Sequence, residues 1–590
     1  MQDFGGSLTG IVWDRAARDP GFAMLSRRTG TAWSDVSAAA FRDEVVALAK
    51  GFVATGLQPG ERVALMSRTR YEWALIDFAV WAAGGVVVPV YETSSAEQVG
   101  WILQDSGASV VVVETAEHAA TYDAVAGSLP TVRDVWRIEP AGEQGSLDDL
   151  RACGTGVAGA DVEARRTAVH RDDLATVIYT SGTTGRPKGC ELTHGNFLAE
   201  VEGILEGVHE VFGKPDAAAL LFLPLAHVLA RVFQLAVLAG GVRLGHTADV
   251  KNLLADMEGF RPTFLLAVPR VFEKVYNASE QKAEAAGKGR VFRLAADTAV
   301  AWSEARDTGH AGPFLRAKHR VFDRLVYGKM REALGGRVEF AVCGGAPLSE
   351  RLGHFFRGIG LTVLVGYGLT ETTAAACVNT PSRTRMGTVG PPLPGVEVRT
   401  DADGEIQVRG GIVFRGYAGD DVATKQAFTD DGWFRTGDLG HVDADGFLHI
   451  TGRSKDILVT AGGKNVVPAT LEDVIREHPL VSQCVVVGDG RPFVGALVTL
   501  DEEALPAWFE TRRRPALPLA EAVRDPQVLA GVQAAVDAAN VHVSRAESVR
   551  RFRVLDVDFT EDSGHLTPSM KVKRKEVMRD FAAEVDALYS

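Results

Sequence analysis

The chain has 590 residues, 46% hydrophobic and 24% charged, an ordinary globular composition that excludes bulk disorder. Its formal net charge of −13 excludes a dedicated nucleic-acid binder, because neutralising phosphates needs a basic surface. Five scattered cysteines, Cys153, Cys190, Cys343, Cys377 and Cys484, form no CxxC pair; they argue against a disulfide framework or zinc site and fit a reducing, cytoplasmic setting.

The opening MQDFGGSLTGIVWDR has no charged region followed by an apolar one, so no signal peptide is expected. DEVVALAKGFVATG, residues 43–56, reads as a helix ending at glycine. FAVWAAGGVVVPVY, residues 78–91, is too short to span a bilayer and is interrupted by Gly84 and Gly85. Apolar β-branched runs recur at ASVVVVET (108–115), ATVIYT (175–180), TFLLAV (263–268) and TVLVGY (362–367), the pattern of buried strands in a largely parallel sheet. The most apolar stretch, residues 218–242, is interrupted by Pro224, His227, Arg231 and Gln234, so a buried helix is expected rather than a membrane span. Residues 279–336 are rich in Ala, Lys and Arg, lack β-runs and read as helical. Near Gly387 the texture changes to short strands separated by Gly and Asp turns: GVEVRT, GEIQVRG and GFLHITG. A boundary falls at TGRSKD, residues 451–456, after which a smaller α/β domain is expected.

The strongest local signal is YTSGTTGRPKG, residues 179–189, directly after the strand ATVIY. Its glycine- and hydroxyl-rich turn offers backbone N–H groups as an anion nest, with Lys188 as a mobile cation. The spacing is not that of a Walker A loop, which needs GxxxxGK[ST]. This loop resembles the phosphate loop of the adenylate-forming (AMP-binding) superfamily, and further motifs follow in that family's order. They are LPLAHV (223–228), GGAPLS (344–349), GYGLTET (366–372), GWFRTGDLG (432–440), GRSKD (452–456) and LTPSMKVKRK (566–575).

The resemblance implies an α/β fold: a large N-terminal domain of stacked sheets, residues 1–451, with a small β unit near 387–451. A hinge at 452–456 and a small mobile C-terminal lid, 457–590, would follow. It implies ATP binding by Thr180, Ser181, Gly182, Thr183, Thr184, Gly185, Lys188, Gly345, Ala346, Gly366, Tyr367, Gly368, Thr370, Asp438 and Arg453. Mg2+ would be held by Thr184 and Glu371, and Lys455 would be the hinge. The side chains suit these roles. Tyr367 offers a flat face for adenine, Glu371 a hard oxygen for magnesium, and Asp438, read as a turn residue, a carboxylate for the ribose hydroxyls. Alone, each has a plainer reading: an exposed Glu, or a turn Asp bonded to its own backbone.

A lone His in an apolar stretch is more often a satisfied core residue than a catalyst. The resemblance sets His227 beside the substrate carboxylate, in a positioning role, because that acid is already ionised near neutral pH. The lysine segment implies Lys571 as catalytic, with Lys188; Lys573 stays open as the alternative. The family usually has Gly before this lysine, where Met570 stands here. Residues 457–590 hold twenty acidic and sixteen basic residues, so Lys571, Lys573, Arg574 and Lys575 form a local positive feature in an acidic domain.

VPRVFEKVYN, residues 268–277, and LPLAHVLARVF resemble long-chain fatty acyl-CoA synthetases. The implied function is activation of a long-chain fatty acid to its coenzyme A thioester through an acyl-adenylate, with ATP, Mg2+ and coenzyme A. Acyl transfer to a carrier protein, an aryl or medium-chain acid ligase, and a nucleotide or lipid sensor on the same fold are the alternatives. Peripheral membrane contact and a homodimer stay open.

Overall fold

Continuous β-branched runs need cover on both faces, and the chain meets this need with two mainly parallel sheets. The computed structural model describes residues 4–30, 32–140, 145–180, 186–214, 216–249, 252–567 and 570–590. One sheet has seven strands in the order Gly416–Tyr417, Lys188–Thr193, Leu174–Thr180, Val86–Val90, Arg62–Met66, Val110–Val113, Asp134–Arg137. The other has eight, in the order Cys377–Val378, Thr362–Tyr367, Phe340–Cys343, Phe264–Ala267, Ala218–Leu221, Arg243–His246, Ala23–Thr29, Ala32–Ser37. Antiparallel pairing is confined to their edges.

The main core joins both sheets through two helices, Tyr71–Ala82 and Val228–Ala239. All residues but Glu72 are buried in the first and all but Leu229 in the second. Burial on every face explains why the first does not read as amphipathic. Arg231, wholly buried, pairs with Asp77 across these helices at 2.6 and 3.2 Å and donates to Thr176 Oγ1 at 2.6 Å. The Thr176 hydroxyl donates in turn to the Val87 carbonyl at 2.6 Å. The guanidinium also lies 5.2 and 5.5 Å from the rings of Trp73 and Trp81. Helix, helix and two strands are thus fixed through one cation.

Residues 218–242 are not one helix. They form the strand Ala218–Leu221, a turn, and the helix Val228–Ala239. Pro224 cannot supply a ladder N–H, and His227 caps the helix by accepting from the Leu229 N–H at 3.2 Å. The helix expected over 43–56 starts earlier, at Ala38, because the Ser37 hydroxyl caps the Ala40 N–H. The helical reading of 279–336 holds: helices Pro269–Ala285, Gly289–Asp307, Pro313–Phe322 and Gly328–Ala333 cover the eight-stranded sheet through a cluster that includes Phe272, Phe292 and Phe355.

A four-stranded antiparallel sheet follows, in the order Val396–Thr400, Glu405–Gly410, Phe434–Val442, Leu448–Arg453. The C-terminal unit has its own core around the sheet Val481–Val487, Val494–Leu500, Val549–Val554. It meets the body through Arg270–Asp501 at 2.9 Å, Lys274–Glu503 at 3.0 Å and the Thr93 hydroxyl on Glu561 at 3.0 Å. Each cysteine is free, and no helix of the described residues is long and apolar enough to cross a membrane.

Removing one partner of a buried pair strands the other charge. Arg231→Met is therefore expected to destabilise the body by about 3–5 kcal/mol. Arg231→Met with Asp77→Leu should recover much of that loss. The urea midpoint read by tryptophan fluorescence checks this; equal losses in the single and double variants would contradict it.

Candidate functional site

The strand Leu174–Thr180 pairs antiparallel with Lys188–Thr193, setting Thr180 opposite Lys188. Ser181, Gly182, Thr183, Thr184 and Gly185, expected between them, lie outside the described residues. Lys188 reaches Asp420 Oδ2 at 3.1 Å and lies 5.2 Å from the Tyr417 ring. The Ala423 backbone N–H, then Lys188, lowers the Asp420 carboxyl below its ordinary range.

The strand Thr362–Tyr367 ends at GYGLTET. A Cβ on Gly368 would fall 1.4 Å from the Ala374 carbonyl oxygen, so no side chain fits there. Thr370 and Glu371 follow in a 3-10 turn, after which Thr373 and Ala374 hold φ of +52° and +93°. Such left-handed backbone in non-glycine residues needs support from its surroundings. The Thr373 hydroxyl donates to the Ile412 carbonyl at 2.6 Å, and buried Glu200 accepts from the Ala375 N–H at 2.8 Å. Burial pushes the Glu200 carboxyl well up. Gly345, φ +85°, and Ala346 form the turn after Phe340–Cys343.

Glu371 Oε1 accepts from the Tyr417 hydroxyl at 2.9 Å, and Oε2 has no hydrogen-bond partner among the described residues. Among those residues no group of three His, Cys, Asp or Glu could enclose a metal. A single free carboxylate oxygen fits magnesium bound largely through phosphate and water.

Asp438 is not in a turn. It lies within the strand Phe434–Val442 at a register shift, next to Gly437 with φ +71°. Such a bulge re-aims a side chain. The buried Asp438 accepts from the Tyr367 hydroxyl at 2.7 Å through Oδ2 and from Arg453 Nε at 2.8 Å through Oδ1. Each oxygen keeps capacity for a further donor. Lys455 is exposed in the 3-10 turn Ser454–Asp456 between the four-stranded sheet and the C-terminal unit.

His227 Nδ1 accepts the Leu229 N–H, so the neutral ring carries its proton on Nε2. Burial, then Lys571, lowers its pKa to about 4, which keeps it neutral near pH 7. Lys571 from the C-terminal unit stands within electrostatic reach of His227, Arg453, Asp438 and Glu371. Burial, then Arg453, lowers its pKa to about 8 against the opposite pull of Asp438 and Glu371. Lys573 instead acts on Glu561. Arg574 anchors the segment, donating to the Val486 carbonyl at 2.6 Å and to Glu472 at 2.5 Å. Lys571, Lys573 and Arg574 therefore divide by role, and Lys571 precedes the helix Arg574–Asp580.

Tyr417, Asp420 and Glu200 were not found from the sequence. Each is an isolated residue in an unremarkable stretch, and only the fold brings Tyr417 to Glu371, Asp420 to Lys188 and Glu200 to the Ala375 N–H. The cations of VPRVFEKVYN, Arg270 and Lys274, pair with Asp501 and Glu503 of the C-terminal unit.

A family model described as AMP-binding enzyme matches residues 12–418, and one for the AMP-binding enzyme C-terminal domain matches 455–590. The chain is 52% identical over 585 residues to long-chain-fatty-acid--CoA ligase FadD15 of Mycobacterium tuberculosis, covering 99% of this chain and 97% of that protein. It is 32% identical over 562 residues to long-chain-fatty-acid--CoA ligase 6 of Mus musculus, covering 89% and 78%. The crystal structure of ATP-bound MatB from Rhodopseudomonas palustris superposes with a TM-score of 0.71 at 26% identity, covering 98% of each chain.

Lys571 is expected to titrate near pH 8 in the free protein, read by NMR of 13C-methylated lysines and assigned by its loss in Lys571→Arg. Asp438→Asn should lower that midpoint and Arg453→Gln should raise it. A midpoint near the ordinary lysine value would contradict the position described.

Proposed function

The chain belongs to the AMP-binding enzyme family, and from that premise we propose that it converts a long-chain fatty acid to its coenzyme A thioester through an acyl-adenylate. The observation that carries this reading is the 52% identity to a long-chain-fatty-acid--CoA ligase along nearly the whole chain. The meeting of Lys571, His227, Glu371 and Asp438 supports it.

In the first step a carboxylate oxygen attacks the α-phosphorus of ATP and pyrophosphate leaves. Most of the catalytic effect is placement and charge stabilisation, as transfer at phosphorus requires. His227 donates from Nε2 to the substrate carboxylate and orients it, without acting as a base. Lys571, protonated, offsets charge on the α-phosphate and the attacking oxygen. Lys188, with Thr180 and the loop 181–185, receives the β- and γ-phosphates, in exchange for its contact with Asp420. Tyr367, the turn at Gly345 and Ala346, and the backbone at Gly366 and Gly368 receive adenine, while Asp438 and Arg453 receive the ribose. Glu371, with Thr184, would hold Mg2+, which when bound neutralises phosphate charge.

In the second step the thiol of coenzyme A attacks the acyl carbonyl and AMP leaves. Lys571 has no role there, so the lid, 457–590, swings away about Lys455, and a few residues of changing dihedral suffice. The ion pairs Arg270–Asp501 and Lys274–Glu503 belong to the first-step orientation.

With ATP, magnesium and coenzyme A, the purified protein is expected to form thioesters of palmitate at least about tenfold more efficiently than those of octanoate or benzoate, since each buried methylene contributes about 0.8 kcal/mol. Pyrophosphate release without thioester would point to carrier transfer. A preference for octanoate or benzoate would overturn the long-chain reading, and absence of nucleotide turnover would overturn the enzyme.

A further inference from the structure

The helical section of the body carries a surface that neither half-reaction uses. Helix Pro313–Phe322 runs on through a π-helical turn, Asp323–Tyr327. Its inner side is anchored: His319 stacks on Trp302 at 4.5 Å, and the Tyr327 hydroxyl donates to the Ala295 carbonyl at 2.7 Å. Its outer side has no cover. Phe314, Val321 and Leu325 are 81%, 54% and 57% exposed, and with exposed Ala317 they follow one another at spacings of three and four residues. That spacing makes one apolar stripe. Five of the twelve exposed large hydrophobic residues in the described structure, these three with Val291 and Leu294, fall within residues 289–327. This concentration sets the section apart from scattered surface apolar residues.

The charge around the stripe is equally one-sided. Arg316, Arg320 and Arg324 are exposed, recur every fourth residue along its flank, and form no side-chain hydrogen bond or ion pair among the described residues. Residues 313–331 hold six Lys and Arg against Asp323 alone, in a chain whose net charge is −13. A solvated helix needs no apolar stripe, and a core helix would not leave Phe314 in water. An apolar stripe bordered by arginines matches the depth profile of an anionic bilayer, with hydrocarbon below and phosphate at the rim.

We propose that this face, centred on Phe314, Val321 and Leu325 and bordered by Arg316, Arg320 and Arg324, docks the protein on an anionic lipid bilayer. The docking is interfacial and reversible, because the stripe is short and its cations act through screened charge. It is independent of the proposed reaction, since none of these residues belongs to the candidate site.

The test is co-sedimentation of the full chain with vesicles of phosphatidylcholine alone or mixed with phosphatidylglycerol, at low and high salt. Binding to the mixed vesicles only, weakened by salt, is expected. The triple variant Arg316→Gln, Arg320→Gln, Arg324→Gln should lower the partition coefficient about tenfold or more. Phe314→Ser with Leu325→Ser should lower it as well, with an unchanged thermal midpoint and unchanged turnover of a water-soluble acid. No sedimentation with either vesicle, equal binding to both, or binding indifferent to both variants would overturn the proposal. So would a dimer that Phe314→Ser with Leu325→Ser dissolves, which would make the face one of self-association.

Discussion

A guanidinium cut off from water must find its counter-charge inside the protein, and the body is arranged around meeting that demand at Arg231. Asp77 supplies the charge, Thr176 takes a further N–H, and Trp73 and Trp81 flank the cation. The consequence reaches the candidate site from two sides. Arg231 lies one turn along the helix that His227 caps, and its backbone N–H reaches the His227 carbonyl at 3.3 Å. Thr176 lies in the strand that ends at Thr180, directly before residues 181–185. His227, proposed to position the acyl group, and the strand before the proposed phosphate loop are therefore referenced to the same buried ion.

That arrangement explains which parts of the sequence could be read. Runs such as 108–115 and 175–180 announced their strands because burial on both faces leaves an unbroken apolar record. Gly366 and Gly368 were legible only through the resemblance, and close backbone packing excludes a side chain at Gly368. Residues 218–242 misled because a buried strand and a buried helix look alike in composition, and only Pro224 and His227 marked the break. Asp438 read as a turn because a bulge inside a strand uses the same Gly-Asp chemistry as a turn. Tyr417, Asp420 and Glu200 could not be read at all, because their significance lies in partners far away in sequence.

The segment before the C-terminal lysine departs from the family's glycine, and the structure gives the departure a physical meaning. Met570 sits at φ +63°, where an L side chain costs about 1–2 kcal/mol and glycine costs none. The turn is held nonetheless. The Met570 N–H donates to the Thr567 carbonyl at 2.8 Å, the Lys571 N–H to the Thr567 hydroxyl at 3.0 Å, and Arg574 ties the following helix to the sheet of the unit. Lys571 is thereby presented from a turn whose conformation the flanking contacts impose.

A body ordered around one buried cation is thus joined to a separate unit that brings a second cation, Lys571, to the same site. On the proposed reaction, Lys571 serves adenylate formation alone. The direct measurement is to assay the two half-reactions of Lys571→Ala separately, following pyrophosphate release from ATP and acid, and thioester formation from supplied acyl-adenylate and coenzyme A. The first is expected to fall by about 10²–10³-fold, as for loss of one preorganised charge-stabilising group, and the second to stay near the unsubstituted rate. Equal loss of both half-reactions, or an unimpaired first one, would contradict it.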